Sequence, residues 1–464
     1  MPDVTRVAII GGGPGGYEAA LVAAQLGAEV TVVDTDGIGG SAVLTDCVPS
    51  KTLVATADLL ADVADSGELG VRVGDAGTAS GVAADMAAVN ARVLALARAQ
   101  SEDTAARLQR DGVRVLVGRG RLDGPQRVVA ERPDGGSEVV DADVVLVATG
   151  TSPRELERAR PDGERILTWT QLYDLAELPE RLVVVGSGVT GAEFASAYHA
   201  LGSDVVLVSS REHVLPGQDA DAAAVLEAVF SRRGVRVLPR SRAVAARRTA
   251  DGVVVELEDG REVAGSHCLM AVGSTPNTSG IGLAEAGVDT DERGFVSVDR
   301  VSRTSARGVY AAGDCTGVLM LASVAAMQGR TAMWHALGDA VTPLDLLTVS
   351  SAVFTSPEIA TVGWTQEMVD AGEVSASVVM LPLATNARAK MQGIHDGFVK
   401  VFCRPSTGIV MGGVVVAPQA SELVHPVALA VECRLTVDQL ARAFTVYPSL
   451  SGSVAEAARR LRRR

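Results

Sequence analysis

A glycine-rich segment near the N-terminus has the residue types and the spacing that bind a dinucleotide. The apolar run from Arg6 to Ile10 predicts a strand that enters a glycine loop, and an alanine-rich run then predicts a helix through Leu26. A second predicted strand, from Glu29 to Val33, ends in an acid. Glycine lets the backbone approach a pyrophosphate at the helix N-terminus, and the acid accepts the ribose hydroxyls. The predicted contacts are Gly11, Gly13, Gly16 and Asp34.

The same unit recurs in the second third of the chain. A strand from Leu182 to Val185 leads into another glycine loop and a helix through Leu201, and a strand from Val205 to Val208 follows. Each half later ends in an apolar strand and a glycine turn, at Val144 to Val147 and at Cys268 to Val272. We therefore expect a duplicated α/β nucleotide-binding fold with room for two dinucleotides. The glycine-loop and turn contacts that this predicts are Gly186, Gly188, Gly191, Thr149, Gly150 and Gly273.

The residue after the second strand indicates which nucleotide each unit prefers. Asp34 lies 23 positions after Gly11, and the same offset from Gly186 leads to Ser209, which Ser210 and Arg211 follow. An acid at this position would bond the free 2′-hydroxyl of NADH and repel a 2′-phosphate, whereas two hydroxyls and a guanidinium favour the phosphate. The second unit is therefore predicted to accept NADPH at least as well as NADH. The alternative is that Arg211 is only a surface charge.

A cysteine and a lysine lie one helical turn apart in the segment from Gly37 to Thr52, which opens an alanine- and leucine-rich helix. Cys47 and Lys51 therefore share a face, and the nearby helix N-terminus favours a thiolate at the cysteine. Lysine is rare in this chain, with only Lys51, Lys390 and Lys400 among 42 basic residues. A lysine in so arginine-rich a chain suggests that a compact ammonium is needed. An ordinary helix-surface lysine is the alternative.

The overall composition limits the class of protein. A chain of 464 residues exceeds one hydrophobic core, so two or three domains are expected. The net charge of −14 argues against general nucleic-acid binding, and no apolar run reaches the ~18 residues of a membrane span. Five scattered cysteines indicate no disulfide framework, so we expect a cytoplasmic protein. The arginine-rich tail, residues 459–464, is read as a solvated end, with contact to anionic lipid as the alternative.

The connecting segments are less regular. Residues 62–81 are polar and glycine-rich and are predicted to form a loop, and Ala83 to Arg110 is predicted to form a long exposed helix. The run from Val113 to Val117 predicts a strand, with Gly118 passing close to an adenine.

Three segments together resemble the flavoprotein pyridine nucleotide-disulfide oxidoreductases. The stretch from Gly39 to Lys51 matches the redox-active segment G-G-T-C-x-x-x-x-C-x-P-S-K, with Cys47 as the second cysteine but Ala42 in place of the first. The run from Thr304 to Asp314 matches the second flavin motif of that family. The run from Tyr447 to Gly452 replaces the family's H-P-T-L-S-E, so its histidine and its glutamate are also missing.

The resemblance covers nearly the whole chain and implies its architecture. It implies an FAD-binding domain (residues 1–150 and 275–343), an NAD(P)-binding domain (151–274) and an α+β dimerisation domain (344–464). In this family the last domain makes a homodimer and completes the active site of the partner subunit. The flavin would contact residues spread over the first domain, namely Gly40, Ser41, Lys51, Gly118, Thr149, Gly150, Gly313, Asp314, Met320, Leu321 and Ala322.

The resemblance also implies roles at the flavin. Lys51 matches the lysine beside flavin N5, and Glu193 matches its glutamate partner in the second nucleotide unit. Cys47 has three possible roles: inert packing against the flavin, a charge-transfer thiolate, or a thiol that cycles through a sulfenic acid. His425, which precedes a proline, is a tempting substitute for the missing histidine, but it lies early and in a predicted helix, so we read it as structural.

A disulfide reductase needs a thiol pair, a base and an acid that orients the base. Because three of these four positions are changed together, the sequence predicts electron transfer from NAD(P)H through FAD to a quinone instead. The chain most resembles the quinone-reducing members of the family, and Tyr447 of the partner subunit would protonate the quinone oxygen. The alternatives are a soluble pyridine nucleotide transhydrogenase, a non-catalytic FAD- and nucleotide-binding protein and, least favoured, true disulfide reduction.

Overall fold

The computed structural model describes residues 4–72 and 82–462, which fall into two compact units. Unit 1 comprises residues 1–52, 91–154 and 273–345, and unit 2 comprises residues 53–90, 155–272 and 346–464. Each unit is therefore built from three separate stretches of chain.

The elements are named in chain order. The strands of the first half are β1 (Arg6–Ile10), β2 (Glu29–Asp34), β3 (Arg114–Val117), β4 (Arg119–Leu122), β5 (Arg127–Glu131), β6 (Ser137–Asp141), β7 (Val144–Val147), β8 (Thr151–Pro153), β9 (Ile166–Leu167), β10 (Arg181–Val185) and β11 (Asp204–Val208). The later strands are β12 (Arg236–Leu238), β13 (Ala243–Arg248), β14 (Val253–Leu257), β15 (Glu262–Gly265), β16 (His267–Met270), β17 (Ser274–Pro276), β18 (Val309–Ala311), β19 (Ser350–Val353), β20 (Glu358–Gly363), β21 (Ser377–Pro382), β22 (Phe398–Cys403) and β23 (Val410–Ala417). The α-helices are α1 (Pro14–Gln25), α2 (Gly40–Leu44), α3 (Cys47–Asp65), α4 (Met86–Arg110), α5 (Val189–Leu201), α6 (Ala220–Arg233), α7 (Ala322–Ala336), α8 (Gln366–Asp370), α9 (Ala387–Met391), α10 (Ala420–Leu423), α11 (His425–Glu432), α12 (Val437–Arg442) and α13 (Gly452–Leu461).

Unit 1 is organised around a five-stranded parallel sheet with the order β18-β7-β1-β2-β3. Its inner strands are continuous apolar runs, as expected for parallel strands that are covered on both faces. Helices α1 and α7 pack closely, because a Cβ on Gly329 would lie 2.0 Å from the carbonyl oxygen of Gly15. Strands β2 and β3 lie on one side of β1, and the later strands β7 and β18 lie on its other side. Doubly wound folds bind nucleotides at the point where the strand order changes direction in this way.

Unit 2 contains a second parallel sheet with the order β12-β11-β10-β16-β9, which repeats the arrangement of unit 1. In both sheets the strand that enters the glycine loop is central. Each unit also has a three-stranded antiparallel sheet, β4-β5-β6 in unit 1 and β13-β14-β15 in unit 2. The duplication expected from the sequence is therefore a duplication of both sheets.

The C-terminal part of unit 2 forms a five-stranded antiparallel sheet with the order β19-β20-β23-β22-β21. Helices α11 and α13 contribute valine and alanine side chains to the buried core against this sheet. The predicted α/β class with a C-terminal α+β domain is therefore confirmed. The exact three-domain boundaries stay a prediction.

The predicted polar loop at residues 62–81 is wrong in its first part. Helix α3 continues to Asp65 and a short 3-10 helix covers Ser66–Leu69, since the alanine- and leucine-rich run extends further than its polar residues suggested. Gly70 then ends the turn with a φ of 81°. The rest of the loop prediction, from residue 73 to residue 81, lies outside the described residues.

Candidate functional site

Four glycines of the two loops are required by the protein's own backbone. Gly11 and Gly186 have φ values of 104° and 113°, where a side chain would be strained. A Cβ on Gly16 would lie 1.9 Å from the carbonyl oxygen of Gly11, and one on Gly191 would lie 1.8 Å from that of Gly186. These glycines let each helix start directly against the loop that precedes it.

The middle glycine of each loop has a different environment. A Cβ on Gly188 would meet nothing within 4 Å, and a Cβ on Gly13 would meet only the Cα of Gly40 at 3.9 Å. Each precedes the first residue of a helix, α1 or α5, whose backbone amides favour an anion. The space beside both glycines fits a group that approaches the backbone closely, as a pyrophosphate does.

Asp34 is fixed at the carboxyl end of β2 by three backbone amides. Its Oδ2 accepts a hydrogen bond from the amide of Gly12 at 2.6 Å, and its Oδ1 accepts bonds from the amides of Asp36 at 2.9 Å and Gly37 at 2.7 Å. The carboxylate therefore joins the first glycine loop to the segment that carries the candidate redox residues.

That segment lies against the first glycine loop. The amide of Gly39 donates to the carbonyl oxygen of Gly12 at 2.8 Å, and a Cβ on Gly40 would lie 2.7 Å from the Cα of Gly13. Gly40 opens the short helix α2, and Ser41 is exposed beside it. The structure thus brings Gly13 and Gly40 together, with Ser41 next to them; their contact with a cofactor stays a prediction.

Cys47 is the first residue of α3 and Lys51 lies one turn later, and both side chains are half-buried. The amide of Ser50, between them, donates to the carbonyl oxygen of Asp46 at 2.7 Å and closes the first helical turn. Cys47 forms no disulfide within the described residues, and the other family cysteine position is occupied by Ala42. The segment therefore has the helix start and the second cysteine of the redox motif but lacks its first cysteine.

Asp314 is a poorly solvated carboxyl of unit 1 and opens the 3-10 turn that follows β18. Burial and, to a smaller extent, the negative charge of Asp46 raise its pKa to about 6, and a 3.4 Å hydrogen bond from Thr151 opposes this shift. The preceding Gly313 has a φ of 83° and donates its amide to Gln328 at 2.8 Å. A carboxyl in this setting is suited to accept hydrogen bonds from the hydroxyls of a bound ligand.

The remaining first-unit candidates lie at strand ends and at one helix start. Gly118 follows β3, and a Cβ there would lie 2.6 Å from the carbonyl oxygen of Glu131, so the protein itself requires this glycine. Thr149 and Gly150 follow β7, and Gly150 has a φ of 66°. Met320 and Leu321 precede α7, and Ala322 is its first residue. All three are partly exposed.

The structure changes the interpretation of Ser209 in the second unit. This side chain is fully buried, and its hydroxyl bonds the hydroxyl of Ser187 at 2.7 Å and accepts from the amide of Arg211 at 3.1 Å. Ser209 therefore shapes the turn from within, whereas Ser210 and Arg211 are exposed and remain the candidates for a 2′-phosphate. Sequence reasoning missed Ser187, although it stands where the first loop has Gly12.

Glu193 is nine-tenths buried on α5 and is held by a segment distant in the sequence. Its Oε1 accepts a hydrogen bond from the amide of Phe354 at 2.9 Å, and the hydroxyl of Ser196, one turn later, accepts from the amide of Ser356 at 3.1 Å. The helix is thereby tied to the C-terminal part of unit 2. The pairing of Glu193 with Lys51 stays a prediction. Gly273, with a φ of 100°, lies between β16 and β17.

The segment that replaces the family's histidine–glutamate pair is strongly exposed. Tyr447 is 85% exposed, and Phe444 and Val446 are exposed beside it. The amide of Gly452 donates to the hydroxyl of Ser449 at 3.1 Å where α13 begins. His425, which we read as structural, is the exposed first residue of α11.

No described helix is long and apolar enough to cross a membrane. Within residues 4–72 and 82–462 there is also no group of three or more side chains that could hold a metal ion.

Two duplicated nucleotide-binding sheets, a redox-type helix start and a C-terminal antiparallel sheet define a pyridine nucleotide-dependent oxidoreductase. The family model for the pyridine nucleotide-disulphide oxidoreductases matches residues 5–329, and the model for their dimerisation domain matches residues 349–458. The chain belongs to this family, as its motifs predicted.

The chain is 57% identical to a Mycobacterium tuberculosis protein named NAD(P)H dehydrogenase (quinone), over 99% of this chain and 94% of that one. It is 34% identical to the dihydrolipoyl dehydrogenase of Chlorobaculum tepidum, over 97% of this chain and 96% of the relative. The crystal structure of LpdA from Mycobacterium tuberculosis superposes with a TM-score of 0.94 at 56% identity, covering 99% of this chain and all of that one.

Proposed function

We propose that the protein is an FAD-dependent NAD(P)H:quinone oxidoreductase that performs no disulfide chemistry. The observation that carries this proposal is the joint loss of the family's relay. Ala42 stands in for one thiol, and Tyr447 and Gly452 stand in for the base and its acid. A near full-length relative with the name NAD(P)H dehydrogenase (quinone) supports the same class of acceptor.

The two glycine loops support an assignment of one cofactor to each unit. The first unit, with Asp34 and Asp314, would hold FAD, and the second unit, with Ser210 and Arg211, would hold NADPH or NADH. The open space beside Gly13 and Gly188 supports both assignments. The bound flavin supplies hydride acceptance and two-electron transfer, while the protein orients the partners and excludes side reactions.

Three side chains would act around the flavin. Lys51 would place its ammonium near the ring nitrogen that gains negative charge, and the buried carboxylate of Glu193 would orient the lysine. Tyr447 of the partner subunit would donate a proton to the quinone oxygen. A phenol can do so without a thiol relay, which is why its replacement of histidine suits a quinone.

Cys47 has no second thiol in its motif, so a disulfide cycle is absent from the proposal. We assign it inert packing beside the flavin. Cys47→Ser is therefore expected to leave quinone turnover unchanged.

Each subunit would need its partner, because the residue that replaces the family's acid–base histidine is 85% exposed on its own chain. The match to the dimerisation-domain model over residues 349–458 supports a homodimer. We place this dimer in the cytoplasm, because its cysteines are scattered without the paired spacing of a disulfide framework.

Separate half-reactions test the function. The purified protein is reduced anaerobically with NADPH and then with NADH, and the reduced form is mixed in turn with a naphthoquinone, NAD and a disulfide. Reoxidation by the quinone alone is the expected result. Rapid reoxidation by NAD without quinone turnover would identify a transhydrogenase, and a flavin that does not bleach with either nucleotide would identify a binding protein.

A further inference from the structure

Lys400 is a buried lysine for which the proposed function has no role. Its side chain is 2% exposed on β22, and its ammonium contacts Asp219 Oδ1 at 2.9 Å, Asp219 Oδ2 at 2.7 Å and Asp221 Oδ2 at 2.6 Å. Asp219 is almost as buried, at 3% exposure, whereas Asp221 is 54% exposed. All three charges lie in unit 2, and the triad joins its nucleotide-binding part to its C-terminal sheet.

Asp219 caps the helix that follows the nucleotide-recognition turn. Its Oδ1 accepts hydrogen bonds from the amides of Asp221 at 3.1 Å and Ala222 at 3.2 Å, at the start of α6. It also ends the segment of residues 209–219, here called the recognition loop, which begins at Ser209 and exposes Arg211. Lys400 therefore holds one end of the loop that carries the predicted selectivity residues.

The rest of the recognition loop is also anchored. The amide of Leu215 donates to the carbonyl oxygen of Ser187 at 2.8 Å, and the amide of Val214 donates to Glu227 Oε1 at 2.7 Å. Leu215 adopts a φ of 54°, which is unfavourable for a branched side chain and requires support from its surroundings. A loop held at both ends and in the middle can present an exposed guanidinium in one place.

The choice of lysine at this position has a physical reason. An ammonium is a compact charge with three donors, and here it meets three carboxylate oxygens. A planar guanidinium would need more room and a different arrangement of acceptors, so arginine, the residue that this chain otherwise prefers, does not suit the site. Removing the ammonium would leave the buried carboxylate of Asp219 uncompensated.

We propose that Lys400 is a positioning residue for NADPH selectivity, which it confers by holding the Asp219 end of the recognition loop. Its ammonium also offsets one of the two negative charges of Asp219 and Asp221, at the foot of a loop that must receive a phosphate. This inference rests on the proposed assignment of the second unit to NADPH and is independent of the electron acceptor. The ammonium acts through the loop and does not touch the nucleotide.

The test is a double-mutant cycle on the FAD-loaded protein, with dissociation constants of NADP and NAD as the readout. Lys400→Met is expected to weaken NADP binding about fivefold or more and NAD binding less than about twofold, because only the phosphate depends on the loop's guanidinium. In the Arg211→Ala background the same substitution should change NADP binding by less than about twofold. Lys390→Met, at an exposed lysine, is the matched control and should leave both constants unchanged.

A merely structural role would give different results. If Lys400→Met weakens NADP and NAD equally, or if its effect persists in the Arg211→Ala background, the proposal is overturned. Should Lys400→Met not fold, the pair Lys400→Met with Asp219→Asn removes both buried charges and keeps a good helix cap, and the same comparisons decide. Quinone turnover is measured separately at saturating NADH in wild type and in the Lys390→Met control, so a failure of the quinone proposal would be recognised separately.

Discussion

Arg211 follows the buried Ser209 directly and is exposed, so it can meet a phosphate without a rearrangement of the turn. Replacing it with glutamate would put a carboxylate where a 2′-phosphate is expected. We expect Arg211→Glu to raise the KM for NADPH about tenfold or more, which corresponds to ~1.4 kcal/mol, and to leave the KM for NADH unchanged or lower. Steady-state kinetics with both nucleotides measure the ratio.

Arg236→Glu, at an exposed arginine on β12, is the matched control for a change of charge in the same unit. An unchanged ratio of the two KM values in Arg211→Glu would show that Arg211 is only a surface charge.

Asp314 makes the stability of the flavin-free protein depend on pH. Its folded-state pKa of about 6 lies above the ordinary 3.8, so the folded chain binds more protons between these values than the unfolded chain does. The free energy of unfolding should therefore fall as pH rises from 5 to 7.5, by on the order of 1 kcal/mol, and level off above that. Asp314→Asn should remove this part of the decline in the free energy of unfolding. Chemical denaturation of the apoprotein at several pH values measures it.

The control for this change is Asp111→Asn, which alters an exposed carboxyl just after α4. A decline that is identical in wild type and Asp314→Asn would contradict the assignment. Some decline should remain in any case, because burial also raises the pKa of Asp58 to about 6.

At the scale of elements, the strands that could be predicted are those whose formation depends on residues close in the sequence. Strand β1 begins and ends as its apolar run indicated, at Arg6 and Ile10, and β7 likewise spans Val144–Val147. Continuous apolar runs between glycine turns leave few alternative structures, since a parallel strand is buried on both faces. The duplication of the sheets followed from the same local patterns.

The contacts that define the candidate site join elements that are distant in the sequence. Glu193 and the amide of Phe354 are 161 residues apart, and Lys400 and Asp219 are 181 residues apart. The periodicity of a helix or strand indicates which face is buried but not which group that face will meet. From its sequence Lys400 was only one of three lysines, and nothing in the local pattern indicated its carboxylate partners.

The burial of Ser209 was also not predictable from the sequence. Its position in the repeat suggested contact with a ligand, yet its hydroxyl pairs with Ser187 inside the fold. The 23-residue offset did identify an equivalent position. The pair of Ser209 and Ser187 lies where, in the first unit, Asp34 accepts a hydrogen bond from the amide of Gly12. What the sequence left open was whether the side chain faces a ligand or the chain itself.

At the scale of the whole molecule, the exposed segment of Phe444, Val446 and Tyr447 is the strongest sign that one chain is not the complete enzyme. Two aromatic rings and a valine are exposed to solvent here, in a chain with only 3% aromatic residues. Exposed apolar segments of this kind mark sites of protein–protein contact, so we propose that a homodimer buries this one. The proposed catalytic role of Tyr447 would then belong to the partner's site.

Heterodimers with differently tagged subunits test this sharing. In a homodimer, Lys51→Met and Tyr447→Phe are each expected to abolish quinone turnover, with Tyr447→Phe still reduced normally by NADPH. A purified heterodimer of the two variants would have one site with both native residues if the tyrosine acts in the partner. It should then show about half of the wild-type turnover.

The reciprocal heterodimer, wild type paired with a subunit that carries both Lys51→Met and Tyr447→Phe, is the matched control. If Tyr447 completes the partner's site, one site of this heterodimer lacks Tyr447 and the other lacks Lys51. Turnover should then be absent. If Tyr447 instead serves its own subunit, the two heterodimers exchange their activities. Equal activity in both would mean that Tyr447 has no catalytic part, so the comparison separates a shared site, a site within one subunit and a purely structural tyrosine.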